Sequence, residues 1–162
     1  MTAPRVTIII PFLDEARYLP ACLAALERQT YPPAQTEILA VDGGSRDGSA
    51  GIVRAWAARH GRVRLLHNPA RTAGGGMNVG LAHAAGEYVL RVDAHCVVAD
   101  DYVERCVEVL ERQPEVGNAG GTMAMVGETW AGRAIAAALS SPFSMGGSPF
   151  RYLRAPTYVD TV

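Results

Sequence analysis

Four short stretches of this 162-residue sequence carry side chains able to do chemistry together. They are Asp14-Glu15, the run Asp42-Gly43-Gly44-Ser45-Arg46-Asp47-Gly48, Arg71 with Gly74-Gly75-Gly76 close behind it, and Asp93-Ala94-His95. Carboxylates are hard oxygen donors for divalent cations. An imidazole beside one favours Mn2+ over Mg2+, so Asp93 and His95 are candidate metal ligands. The guanidinium fork of Arg71 matches phosphate oxygens, and glycines let backbone come close to a ligand. Each feature also has a plainer reading. Asp42 and Asp47 suit Asx turns and helix caps, capping being at least as good a role for Asp47. Arg71 suits a solvated loop, the glycines a flexible turn, and His95 a part-buried histidine bonded to backbone. His60, His67 and His83 lack a comparable context and read as helix-face or loop residues.

Composition narrows the classes. All fifteen basic residues are arginine, spread along a chain of net charge −1, which leaves no footprint for nucleic acid. Without lysine there is no P-loop, whose lysine must reach the terminal phosphates. Three cysteines with no C-x-x-C pair argue against a disulfide framework and fit a reduced, cytoplasmic setting. With 49% apolar and 19% charged residues the chain can bury a large core. It has no signal-peptide pattern, and no apolar run reaches the roughly 18 residues of a membrane span.

The elements that must position these residues alternate. A β-branched strand, Arg5 to Ile10, is closed by Pro11, and Leu19, Cys22, Leu23 and Leu26 then mark one face of a helix over Ala16 to Gln29. A second strand, Glu37 to Val41, runs into the Asp42 loop, and Ser49 caps a helix carrying Ile52, Val53 and Trp56. A third strand, Arg62 to Leu66, leads to a glycine-rich loop, Asn68 to Gly76, and a short helix, Met77 to Ala85. A fourth strand, Glu87 to Val92, delivers Asp93-Ala94-His95. Asp100 caps a helix with Val103, Cys106, Val107 and Leu110, and Val116 to Val126 reads as a glycine-interrupted strand. Beyond it come a helix over Ala131 to Leu139, a loop from Ser140 to Pro149 and a strand-like piece from Thr157 to Val162 that runs off the end. Strands alternating with helices predict βαβ units and a mainly parallel sheet covered on both faces. Ligands of such sheets bind beyond the carboxyl ends of the strands, where all four polar stretches fall.

Taken in order, the stretches resemble family-2 glycosyltransferases. Pro11-Phe12-Leu13-Asp14-Glu15 is similar to that family's Pro-x-x-(Asn/Asp)-Glu, and Val41 to Ser49 resembles its Val-Asp-Asp-Gly-Ser-x-Asp-Gly-Ser/Thr. Asn78 to Gly86 resembles its Asn-x-Gly-x-x-x-Ala-x-Gly, and Asp93-Ala94-His95 stands where Asp-x-Asp is expected. The match spans roughly Val6 to Val98. With the Asp-His variant and Arg91, the chain is most similar to glucosyltransferases of bacterial exopolysaccharide assembly, of the succinoglycan type.

The resemblance implies a GT-A fold, a Rossmann-like three-layer α/β/α arrangement with a mainly parallel central sheet. It implies one nucleotide-sugar-binding domain over 1–162, with a nucleotide-binding half (1–98) and the start of an acceptor-side half (99–162). The chain's end inside a strand-like piece predicts a C-terminal truncation. The donor implied is a nucleoside-diphosphate sugar, with UDP preferred, and the acceptor a saccharide or lipid-linked saccharide. Asp42 is assigned to the base and Asp14 or Glu15 to base or ribose; Pro11, Phe12, Arg71, Asn78 and Asp93 complete the nucleotide set. Asp93 and His95 hold Mn2+ or Mg2+ against the diphosphate. The general base of an inverting transfer is expected beyond residue 162, since Asp160 comes too early, so the isolated chain should bind donor without efficient transfer. By the same resemblance, the setting is cytoplasmic, with association at the cytoplasmic face of the membrane open to a longer parent chain.

Rival readings are a dinucleotide oxidoreductase, a calcium loop, a nucleotidyltransferase and a non-catalytic sugar-nucleotide-binding fragment. The first needs Gly-x-Gly-x-x-Gly after the first strand, where Pro11-Phe12-Leu13-Asp14 stands. The second needs oxygen ligands where Gly44 and Arg46 sit. The third usually carries a basic glycine-rich loop there, which is absent; the missing base keeps the fourth alive.

Overall fold

The β-branched run near the N-terminus forms β1 (Val6–Phe12), the strand on which the rest is assembled. The computed structural model describes residues 3–122, 126–127 and 129–139. The other strands are β2 (Thr36–Asp42), β3 (Val63–His67) and β4 (Tyr88–Arg91). They interleave with helices α1 (Leu19–Glu27), α2 (Ser49–Ala57), α3 (Ala73–His83), α4 (Tyr102–Arg112) and α5 (Trp130–Leu139). The four strands pair in parallel in the order β3-β2-β1-β4. The α/β fold expected from the sequence is the one observed.

The chain divides into two compact units, Met1–Arg112 and Gln113–Val162. In the first, even-numbered residues of β1 (Val6, Ile8, Ile10, Phe12) point to one face, where Leu19, Cys22, Leu23 and Leu26 of α1, Val53 and Trp56 of α2, and Val103 and Val107 of α4 bury them. Ile9, Leu39 and Val41 point to the other face, where Met77 and Val79 of α3 pack. That period of two, with both faces covered, is why β1 reads as a continuous apolar run. Each fully buried aliphatic side chain contributes about 1.5 to 3 kcal/mol. In the second unit α5 buries only Ala136 among its described side chains. None of the described helices is long and apolar enough to cross a membrane.

Several element boundaries differ from the sequence reading. Pro11 does not end β1: it pairs with Val41 in register, and the strand continues to Phe12. The carbonyl of Ile9 accepts from Val92, so Ile9, and by alternation Pro11, face β4. β4 has diverged by that point, and the missing Pro11 N–H costs no ladder bond. α1 starts at Leu19 rather than Ala16, and ahead of it the amides of Glu15 and Ala16 donate to Ser49 Oγ and Asp47 Oδ2 of the loop after β2. Gly48, at φ +96°, is the N-cap of α2, and Ser49 is its first residue.

The triple glycine is not a loop. α3 begins at Ala73, with the Thr72 hydroxyl accepting from the Gly75 amide as N-cap. At Gly80 a Cβ would stand 2.5 Å from Ile9 Cγ2, so the bare backbone lets α3 lie directly on β1. The strand expected over Val116 to Val126 is absent from the described residues 113–122, where Gly117, Gly120 and Gly121 carry a high entropic cost in an extended strand. The loop expected at Ser140 to Pro149, the piece at Thr157 to Val162 and Asp160 lie outside the described residues.

Candidate functional site

The strand order reverses at β1: β2 and β3 lie on one side of it and β4 on the other. Crossover connections leaving in opposite directions open a crevice at the carboxyl ends of β1 and β4. A cleft of about 270 Å³ is found there. Pro11 and Phe12 form its floor, Arg91, Asp93 and His95 one wall, and Asn68, Arg71, Thr72 and Ala73 the other, with Glu15 and Gly43 at its edge.

The loops after β1 and β2 are tied to each other. Asp14 adopts φ +55°, a left-handed conformation that aspartate tolerates better than most residues. Its amide donates to Ser45 Oγ at 3.0 Å, and its Oδ1 accepts from the Arg46 amide at 2.6 Å. Asp47 Oδ1 accepts from the Ser49 amide at 3.0 Å and Oδ2 from the Ala16 amide at 2.8 Å, which holds its pKa below the ordinary value chiefly through the Ser49 hydroxyl. Asp42 closes an Asx turn: its Oδ1 accepts from the amides of Gly44 (3.1 Å) and Ser45 (2.9 Å) and from Ser45 Oγ (2.7 Å). Asp14 and Asp42 therefore brace the loops at the cleft's edge, and neither lines it. Asn78 is exposed on α3 and likewise stands off the cleft.

On the opposite wall Asn68 is 3% exposed, and its amide group is satisfied by the Ala70 amide (3.1 Å) and the Thr72 carbonyl (2.9 Å). A buried amide left without partners would cost about 1 to 3 kcal/mol. Asn68 thereby shapes the turn that presents the N-terminus of α3. Arg71 takes φ +56°, uncommon for a bulky side chain, and its Nη1 lies 3.4 Å from the Gly44 carbonyl. Such backbone conformations cost of order 1 to 3 kcal/mol and tend to mark functional positions.

The β4 wall holds the groups expected from the sequence to ligate a cation, Asp93 and His95. Arg91 Nε donates to Asp93 Oδ1 at 2.8 Å, and His95 Nδ1 lies 3.1 Å from Glu15 Oε1. The Tyr18 ring stands edge-on to the imidazole with centroids 6.5 Å apart. Both partners of the Arg91–Asp93 pair are at least a third exposed, so it is worth under about 1 kcal/mol, too little to withhold Asp93 from a divalent ion. Ligand atoms of Asp93, His95 and Cys96 all lie within 4.8 Å of one another, and this oxygen and nitrogen set fits a divalent cation such as Mn2+. Burial pushes the nearby Cys22 thiol up to about 12. Arg91, Asn68, Thr72 and Cys96 are cleft or ligand-set residues absent from the sequence-based site. Only Arg91 carried a signal, its place just ahead of Asp93.

The comparisons agree with this architecture. The structure resembles the mannosyltransferase PcManGT from Pyrobaculum calidifontis, solved in complex with GDP-Man and Mn2+, with a TM-score of 0.62 and 33% identity over 68% of this chain and 33% of that one. It shares its fold with S. aureus TarS in complex with UDP, at a TM-score of 0.63 and 21% identity, over 75% of this chain and 39% of that one. The succinoglycan biosynthesis protein ExoA of Rhizobium meliloti (strain 1021) is 37% identical over 110 residues, 67% of this chain and 33% of the relative. A dolichyl N-acetyl-alpha-D-glucosaminyl phosphate 3-beta-D-2,3-diacetamido-2,3-dideoxy-beta-D-glucuronosyltransferase of Methanococcus voltae is 27% identical over 163 residues, 97% of this chain and 50% of the relative. The chain thus spans a third to a half of the length of these curated relatives. The family model for glycosyl transferase family 2 matches residues 7–158, and the chain, with the parallel sheet and strand-end cleft just described, belongs to that family.

Proposed function

We propose that the cleft binds a nucleoside-diphosphate sugar, with UDP the preferred nucleotide, together with a divalent cation. The protein would serve sugar transfer to a saccharide or lipid-linked acceptor in polysaccharide assembly. One observation carries this reading: side chains able to ligate a cation on the β4 wall face a guanidinium and a helix N-terminus on the α3 wall across a single strand-end cleft.

Asp93 and His95 hold the cation, which when bound neutralises charge on the departing diphosphate. Arg71 and the N-terminus of α3, an 11-residue helix, meet the phosphates, since free amides and the helix dipole favour an anion there. Pro11, Phe12 and Gly43 offer apolar surface and backbone to the base. Asp42, at the cleft's edge rather than in its lining, meets the outer rim of the base with Oδ2, the oxygen not engaged in the Asx turn. Glu15, bonded to His95, orients the imidazole rather than the ribose. Transfer also requires a carboxylate to take the acceptor's proton, and no described residue is assigned to that role. The mannosyltransferase solved with GDP-Man and Mn2+ supports the cation and puts GDP beside UDP among the donors to test.

A thermal-shift panel of UDP, GDP, their sugars and NAD, with and without Mn2+, tests the reading. A ligand at a hundred times its Kd adds about 2.7 kcal/mol, which raises Tm by about 5 to 10 °C in a chain of this size. The shift should require Mn2+ in part, and Asp93→Ala should remove that part. A panel in which no nucleoside diphosphate moves Tm, or in which NAD alone does, sinks the proposal.

A further inference from the structure

Ligand atoms of Asp93, His95 and Cys96 converge at the end of β4, although Cys96 also packs against the core and Asp93 and His95 pair with Arg91 and Glu15. The Cys96 amide donates to the Asp93 carbonyl at 2.9 Å, closing a turn that folds the chain back so that residues 93 and 96 share one side of it. Ligand atoms around a four-coordinate ion with bonds of about 2.0 to 2.3 Å lie roughly 3.3 to 3.8 Å apart. The upper bound of 4.8 Å observed here is within a small side-chain adjustment of that spacing. Cys96 is half-buried, whereas Cys22 and Cys106 are buried.

We propose that Cys96 converts the cation site into a mixed oxygen, nitrogen and sulfur site that takes thiophilic divalent ions, of the Zn2+, Co2+ and Cd2+ class, more tightly than Mn2+ or Mg2+. The inference rests on the reading of Asp93 and His95 as cation ligands. Carboxylate and imidazole serve Mn2+ well enough, and a hard ion gains little from sulfur. A softer ion engages all three groups. The sulfur lone pair forms the bond to the metal, and the thiol proton passes to solvent. The residue responsible for ion choice is then Cys96, while Asp93 and His95 serve either class of ion.

The full 162-residue chain, free of nucleotide, should be titrated with Cd2+ alone while following the ultraviolet sulfur-to-metal charge-transfer band. A saturable band with one ion per chain is expected, lost in Cys96→Ser and kept in Cys106→Ser. In competition, Zn2+ should displace Mn2+, seen by the electron paramagnetic resonance of the free ion, and the ratio of the two affinities should fall at least about tenfold in Cys96→Ser, down to the smaller preference that a carboxylate and an imidazole alone confer. No band in the wild type, or a band that survives Cys96→Ser and is lost in Cys22→Ser, overturns the proposal. If nucleotide still binds with Mn2+ in that event, the donor-site reading stands while this one falls. A Cys96-dependent band without Mn2+-dependent nucleotide binding supports this inference and removes the donor-site reading.

Discussion

At the scale of residues, the most informative contact is Glu15 Oε1 against His95 Nδ1. A carboxylate at Nδ1 fixes the tautomer and leaves Nε2 free as a metal ligand, and loss of such an outer partner costs about 10 to 100-fold in metal affinity. Glu15→Gln should therefore weaken Mn2+ binding by about that factor while the fold is retained, which isothermal titration beside a Tm measurement would check. Equal affinity in the variant would reduce the pair to an exposed surface contact. Asp14 illustrates the opposite outcome: its side chain accepts from the Arg46 amide, so it braces a loop. Sequence alone placed both acids beside the first strand. Which of two adjacent carboxylates turns inward depends on the left-handed φ of Asp14, and that is set by bonds to residues about thirty positions away.

At the scale of elements, α3 carries the wall proposed to meet phosphate because it can approach β1. A methyl at Gly80 would meet three Ile9 side-chain atoms at 2.5 to 3.0 Å in the sheet's buried face. Gly80→Ala should thus destabilise the protein by about 1 to 3 kcal/mol, despite alanine's better helix propensity of about 1 kcal/mol, because overpacking against a closed core outweighs it. Urea denaturation would show the direction, and a variant as stable as the parent would mean that α3 is not seated as described. The helix was legible in part: Met77 to Ala85 was expected, but three consecutive glycines disguised the first turn. Propensity opposes a helix there by about 1 kcal/mol per glycine. The Thr72 cap accounts for it in the fold, together with the space beside Asn68 and Pro11 that a Cβ at Gly75 or Gly76 would crowd.

At the scale of the whole molecule, the site is an edge of the sheet laced by carboxylate and hydroxyl bonds between successive loops, and that lacing makes stability depend on pH. The folded pKa of Asp47 lies below its ordinary value of 3.8, so its contribution is complete above that pH and is lost as pH falls through the lower folded value. Tm should fall on this acid limb, and Asp47→Asn should flatten it in a calorimetric pH series. Identical acid limbs for parent and variant would show that the lacing contributes nothing to stability.

The sequence by itself determined the parallel α/β class, the helix faces and the strand-end positions of Asp14, Asp42, Arg71, Asp93 and His95, because periodicity and turn chemistry are local. Only the tertiary structure decided the rest. The order β3-β2-β1-β4 opens the crevice between β1 and β4, and within it Asp93, His95 and Arg71 line the cleft while Asp14, Asp42 and Asn78 do not. The buried Asn68 and the turn that brings Cys96 toward the ligand set carried no sequence signal. Side-chain direction at a strand end is set by which neighbouring loop supplies the hydrogen-bond partner. That neighbour is a matter of sheet order, which no local pattern encodes.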